Sequence, residues 1–205
     1  MSDKNVLLVE GKDDLQVLRH LLHHHCIPEP FIKENEGVDR LLESLPLQLK
    51  RSELERLGVV LDANANLAGR WESLRNIAIR SGYKNVPTLP DSSGTIIKQQ
   101  DKPVIGFWLM PDNTIPGMLE DFVQFLVPVG DVLWTLADDC LQLIPKPEQR
   151  FSDAHRIKAH VHTWLAWQEE PGTPMGLAIT KRYFKGDAPQ AQKLIAWIRR
   201  LFIDD

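Results

Sequence analysis

Three short apolar runs in this chain stop on a carboxylate, and that repetition constrains the fold more than any other feature. "NVLLV" (5–9) runs into Glu10, "LGVVL" (57–61) into Asp62, and "VIGFWLMP" (104–111) into Asp112. A continuous apolar run of this length is expected of a strand buried on both faces of a parallel sheet. Between the runs the spacing becomes helical. From Asp13, a plausible helix start, Leu15, Val17, Leu18, Leu21 and Leu22 share one helical face. "GVDRLLESLPLQL" (37–49) also reads as helix, with Pro46 breaking or restarting it. "PFIKE" (30–34) and "TIIK" (95–98) predict two more strands, and "GRWESLRNIAIRSGY" (69–83) an amphipathic helix closed by Gly82. Helical patterns dominate afterwards, at about 117–127, 130–143, 153–167 and 190–202. "PKPEQRFSD" (145–153) reads as a connector and "EEPGTPMG" (169–176) as a turn.

Strands alternating with helices imply βαβ units and a mostly parallel sheet flanked by helices. The expected architecture is one α/β domain over residues 1–205, with an α/β core at 1–130 and a mainly helical extension at 131–205. Right-handed crossovers line the carboxyl ends of parallel strands along one edge. Ligands bind at that edge, near the point where strand order reverses. If the three strands are parallel neighbours, Glu10, Asp62 and Asp112 emerge together. Asp14, one helical turn after Glu10, points back to the same place, and Glu120 and Asp121 arrive from the side. Clustered carboxylates repel and resist desolvation unless something neutralises them. A divalent cation does so, and Mg²⁺ favours one or two carboxylates plus water and phosphate oxygens. The structural alternative for each acid alone is a helix cap or a solvated side chain.

Bulk properties bound the partners. A net charge of −4 argues against binding nucleic acid through a basic face, while leaving room for phosphates held through metal ions. Cys26 and Cys140 make neither a metal-type pair nor a disulfide framework, so a reducing cytoplasm is the expected compartment. No apolar run approaches the roughly 18 residues of a membrane span, so no membrane partner is expected.

"LLVEGKDD" resembles the first motif of the Toprim fold, a strand-end glutamate followed by glycine. Its Leu-Val-Glu-Gly-x-x-Asp form is similar to that of the OLD-type (overcoming lysogenization defect) nucleases, with Glu10 and Asp14 matching the two acids. "VVLDANAN" (59–66) lies where Toprim proteins carry an Asp-x-Asp motif. Together with "GFWLMPDNTIPGMLEDF" and "HTWLAWQEEPGTPMGLAIT", these stretches resemble a small prokaryotic family of unknown function with a Toprim-like fold, over nearly the whole chain. The resemblance implies a Toprim-like α/β fold and acids that bind Mg²⁺ or Mn²⁺ for phosphoryl transfer on DNA or RNA, most simply as a nuclease. Carried over, Glu10 is a metal ligand or general base and Asp62 the first ligand of the Asp-x-Asp pair. Asp14 and Asp112 are candidates for a second metal, and Lys158 in "SDAHRIKAH" for the lysine that faces the scissile phosphate. One residue departs from the pattern. Asn64 stands where the second acid belongs, so the metal is held less firmly unless Asp112, Glu120 or Asp121 compensates. The alternative is a weakly active or inactive binding or regulatory module working with a separate partner. No Gly-x-x-x-x-Gly-Lys-Ser/Thr loop occurs, so an ATPase of the OLD type would have to be a separate protein.

Other features read as structural. The imidazoles of "HHHC" (23–26) spread around a helix and do not converge on one ion there. "HVH" (160–162) converges only on a strand, and its neighbours look helical. His155 precedes Lys158 by three residues and shares a helix face with it. Trp164 and Trp167 read as core or interface.

Overall fold

The structure is a computed structural model and describes residues 4–204. Its sheet has five strands: β1 (Asn5–Val9), β2 (Phe31–Glu34), β3 (Arg56–Asp62), β4 (Thr95–Ile97) and β5 (Val104–Met110). They lie in the order β2-β1-β3-β5-β4, all parallel except β4, which runs antiparallel to β5. The helices are α1 (Lys12–His24), α2 (Val38–Gln48), α3 (Leu67–Arg80), α4 (Leu119–Gln124), α5 (Val132–Gln142), α6 (Arg156–Ala166), α7 (Met175–Thr180) and α8 (Pro189–Phe202).

The apolar runs form strands because both of their faces are covered. Successive side chains of a strand point to opposite faces. Val6, Leu8, Val59, Leu61, Phe107 and Leu109 join one buried cluster with Leu41 and Leu45 of α2 and Trp71 and Leu74 of α3. Leu7, Val9, Val60, Trp108 and Met110 join the other, with α1, α4 and the helices of the carboxy-terminal third. The protein is therefore an α/β structure in three layers. Its late helices are part of the core: Trp164, Ile179, Phe184 and Trp197 lie in the same cluster as Leu7. Gly58 and Gly106 are register partners on β3 and β5 and let α8 approach the sheet backbone. A Cβ on Gly106 would sit 2.6 Å from a Leu201 methyl.

Three elements depart from the sequence expectation. Pro46 neither breaks nor restarts α2; it sits inside the last turn, and the Leu49 N–H donates to the Leu45 carbonyl at 3.1 Å just past it. The proline forfeits its own ladder bond, and α2 carries through it because Leu41 and Leu45 are buried in the core. Residues 169–176 do not stay a turn to their end, because Pro174 opens α7 at Met175. Gly176 then packs α7 against α1 so closely that a Cβ would meet the Gln16 carbonyl at 2.8 Å. The third apolar run ends as a strand at Met110, before a cis Met110–Pro111 bond, and leaves Asp112 in the following turn.

The chain order places the site. From β1 the chain goes to β2 on one side and then to β3 on the other, so strand order reverses between β1 and β3. α1 packs on one face of the sheet, α2 and α3 on the other. A crevice outside the carboxyl ends of β1 and β3 follows from that topology. No helix among the described residues is long and apolar enough to cross a membrane.

Candidate metal centre

Glu10 follows the last residue of β1 and Asp62 is the last residue of β3. Because β1 and β3 are parallel neighbours, both acids leave the sheet at the same edge. Asp14 lies in the first turn of α1, where its Oδ2 accepts the Gly11 N–H at 3.0 Å. The Asp62 N–H faces the Glu10 carboxylate and the Leu119 N–H, at the start of α4, faces Asp62, each favouring the charged form. All three carboxylates thus have a backbone N–H beside them. Each also keeps one buried oxygen with no hydrogen-bond partner: Glu10 Oε2, Asp14 Oδ1 and Asp62 Oδ1. Asp14 is only 6% exposed.

These acids line a cleft of about 280 Å³, together with Asp13, Glu36, Glu120 and Lys158. Glu120 comes from the first turn of α4 and is almost fully buried. Lys158 reaches in from α6, and its Nζ lies 3.0 Å from Glu120 Oε1. The electrostatics follow from burial. Loss of solvent pushes Asp62 up to about 9, aided by the charges of Asp14, Glu10 and Glu120 and opposed by the Leu119 N–H. Burial, then the Glu10 charge, raises Asp14 to about 7. Burial also raises Glu10, against the Asp62 N–H and Arg70. For Lys158 burial works downward, but the bond to Glu120 and the charges of Glu120, Asp13 and Asp62 outweigh it, so its pKa is raised.

The other expected site residues lie elsewhere. Asn64 has a left-handed backbone (φ 51°) and is bridged to Gly117 by two backbone hydrogen bonds, of 2.7 and 2.8 Å. It lines a neighbouring depression of about 600 Å³ together with Asp121, His155, Arg156 and His160. Asp121 Oδ2 accepts the Met118 N–H at 2.8 Å, capping α4, and burial raises its pKa. His155 sits in the 3₁₀ turn that leads into α6 and borders this depression, while Lys158 borders the acidic cleft. Asp112 Oδ1 accepts from the N–H and hydroxyl of Thr114 and the N–H of Ile115, the bonds of a turn former. It does not line the acidic cleft, because the strand ends two residues before it.

"HVH" is helical, as its neighbours suggested: His160 is buried, stacked on Trp134 at 3.6 Å, while His162 is exposed. Trp164 is buried and Trp167 is 37% exposed. Glu36 borders the acidic cleft but was not singled out from the sequence. The available signal was the strand "FIKE", which ends at the same edge just before the "NEG" turn.

Fold and site together define an α/β protein with a buried acidic cleft at the switch point of a mostly parallel sheet. The chain belongs to the family described as Protein of unknown function (DUF3226), whose model matches residues 4–203. Comparison with curated proteins and with solved structures gives no match.

Proposed function

We propose that this protein binds Mg²⁺ or Mn²⁺ at Glu10, Asp14 and Asp62 and uses it for phosphoryl transfer on nucleic acid, as a Toprim-type nuclease. The observation that carries this reading is the set of three convergent carboxylates, each with a buried oxygen that has no partner. Hard oxygen donors of this kind suit Mg²⁺ and Mn²⁺. The resemblance of "LLVEGKDD" and "VVLDANAN" to the Toprim motifs supports the same reading.

The cation would supply Lewis-acid stabilisation of charge on a phosphate oxygen. The chain's own residues do the rest. The Gly11 N–H holds Asp14 in place before any ligand arrives, and the N–H groups of Asp62 and Leu119 lie beside Glu10 and Asp62. Glu10 serves as a ligand of the cation or, where the cation is held by Asp14 and Asp62, as the general base; burial raises its pKa in the metal-free cleft. Lys158 brings a positive charge to the mouth of a cleft that otherwise repels phosphate, and Glu120 keeps it there. Glu120 brings a further carboxylate to the cleft, where it would stand in for the acid that Asn64 lacks.

The test is Mn²⁺ titration and cleavage of single- and double-stranded DNA and RNA by the native protein, Glu10→Gln and Asp62→Asn. Mn²⁺ binding and metal-dependent cleavage are expected in the native protein, both lost in the variants. Cleavage that survives both substitutions overturns the assignment. A second reading has Asn64 in its favour: a Toprim-like binding or regulatory module, acting with a separate ATPase or other partner. It predicts Mn²⁺ binding sensitive to Glu10→Gln, with no turnover on any of the four substrates.

A further inference from the structure

The far end of α1 carries a second group of metal-ligating side chains, about 18 Å from the acidic cleft at 1.5 Å of rise per residue. α1 ends at His24, and His25 has already left the helix as its cap (φ −92°, ψ 9°). That exit removes the objection that consecutive histidines on a helix diverge. The two rings meet edge-on with centroids 5.0 Å apart. Asp187 arrives from the segment joining α7 to α8, with its Oδ1 3.2 Å from His24 Nε2. One ligand atom from each of His24, His25 and Asp187 lies within 4.8 Å of the others.

The surroundings are built to keep these groups together. Lys185 N–H donates to the Leu126 carbonyl at 2.7 Å, and Ala188 N–H closes a turn on the Lys185 carbonyl at 3.0 Å. Gly186 is buried so close to His24 that a Cβ would sit 2.8 Å from Nε2, so the backbone itself seats the ring. His25 Nε2 lies 2.9 Å from the Gly186 carbonyl. A carbonyl only accepts, so Nε2 carries the proton and a neutral ring keeps its lone pair on Nδ1. Carbonyl partners of this kind fix the tautomer of metal-bound imidazoles.

We infer that His24, His25 and Asp187 form a site for a borderline transition-metal ion, Zn²⁺ or Ni²⁺, that ties the end of α1 to the α7–α8 segment. Two imidazoles and a carboxylate select these ions over Mg²⁺. Three protein ligands leave a fourth position to solvent in a tetrahedral Zn²⁺ site. The ligand atoms close by a fraction of their present spacing to reach Zn–N bonds of about 2.0–2.1 Å.

The test is calorimetric titration of Zn²⁺ into the tag-free full chain at pH 7.5, with Co²⁺ absorption as a second readout. With Mg²⁺ in large excess to occupy the acidic cleft, one equivalent is expected to bind, with the visible bands of a four- or five-coordinate Co²⁺ centre. His24→Gln and Asp187→Asn should each weaken binding by roughly ten-fold or more through the loss of one ligand. The same losses should appear when the two substitutions are made in a Glu10→Gln background, which separates this site from the acidic cleft. Both ligand substitutions sit at a solvent-accessible edge, and circular dichroism checks that the variants are folded. Absence of Zn²⁺ binding, or binding equally tight in the folded His24→Gln and Asp187→Asn proteins, overturns the inference.

Discussion

At the scale of single residues, the acidic cleft is held against its own electrostatics. Asp62 and Asp14 each have a folded pKa above the unfolded value, so the fold favours their protonated forms. Their contribution to stability is complete below about pH 4 and is lost as pH rises through about 7 for Asp14 and about 9 for Asp62. Asparagine keeps the shape of Asp62 and cannot ionise. Asp62→Asn should therefore stabilise the metal-free protein, by on the order of 1–3 kcal/mol at pH 8.5, while removing a metal ligand. Urea unfolding at pH 4.5 and pH 8.5 checks this, and the gain must grow with pH. A gain that shrinks with rising pH would mean that Asp62 is stabilised in its charged form. Such an exchange of stability for function is common where a site gathers like charges.

At the scale of elements, two close approaches decide where helices lie. Gly58 and Gly106 open a flat patch on adjacent strands into which Leu201 of α8 fits. Gly106→Val should cost about 2–3 kcal/mol by overpacking, since the neighbouring atoms belong to the buried Leu201 and Trp197 side chains of α8. Guanidinium unfolding measures it, and a loss under about 0.5 kcal/mol would show that α8 shifts freely on the sheet. Gly176 does the same for α7 against α1. These contacts also explain which elements the sequence revealed. The strands and α1 are legible because apolar side chains recur with the period of the element that buries them. α7 is six residues long and shows no period of its own; its helix is held by Pro174 and by packing on α1. Pro46 is carried within α2 because Leu41 and Leu45 of the same helix are buried in the core, and that packing offsets the one ladder bond the proline lacks.

At the scale of the whole molecule, the cleft couples cation binding to protons and to stability. The carboxylates must give up protons to bind a cation, so affinity for Mn²⁺ should rise from pH 6 to pH 8 with proton release. Mn²⁺ at about 100 times its dissociation constant adds roughly 2.7 kcal/mol to the folded state. For a chain of this size that corresponds to a rise in Tm of about 5–10 °C, at roughly 2–4 °C per kcal/mol. Thermal melts with and without Mn²⁺ at both pH values test it, and the rise should vanish in Glu10→Gln. A shift as large at pH 6 as at pH 8 would contradict the proton linkage.

The sequence alone determined the class of fold and one edge of it. Continuous apolar runs ending at Glu10 and Asp62 imply parallel strands, and parallel strands put both acids at one edge whatever else the chain does. Asp14 follows from helical periodicity, since it lies one turn beyond Glu10. Tertiary structure decided the rest of the cleft. After β5 the chain makes a turn held by Asp112 and Asn113, bridges back to Asn64 at Gly117, and only then enters α4. That path takes Asp112 away from the cleft, sends Asn64 to the neighbouring depression and brings Glu120 in with Lys158 from α6. The meeting of His24 and His25 with Asp187 arose in the same way. The physical reason is range: strand and helix periods are written in neighbouring residues, whereas these meetings depend on how segments 40 to 160 residues apart pack on a shared core.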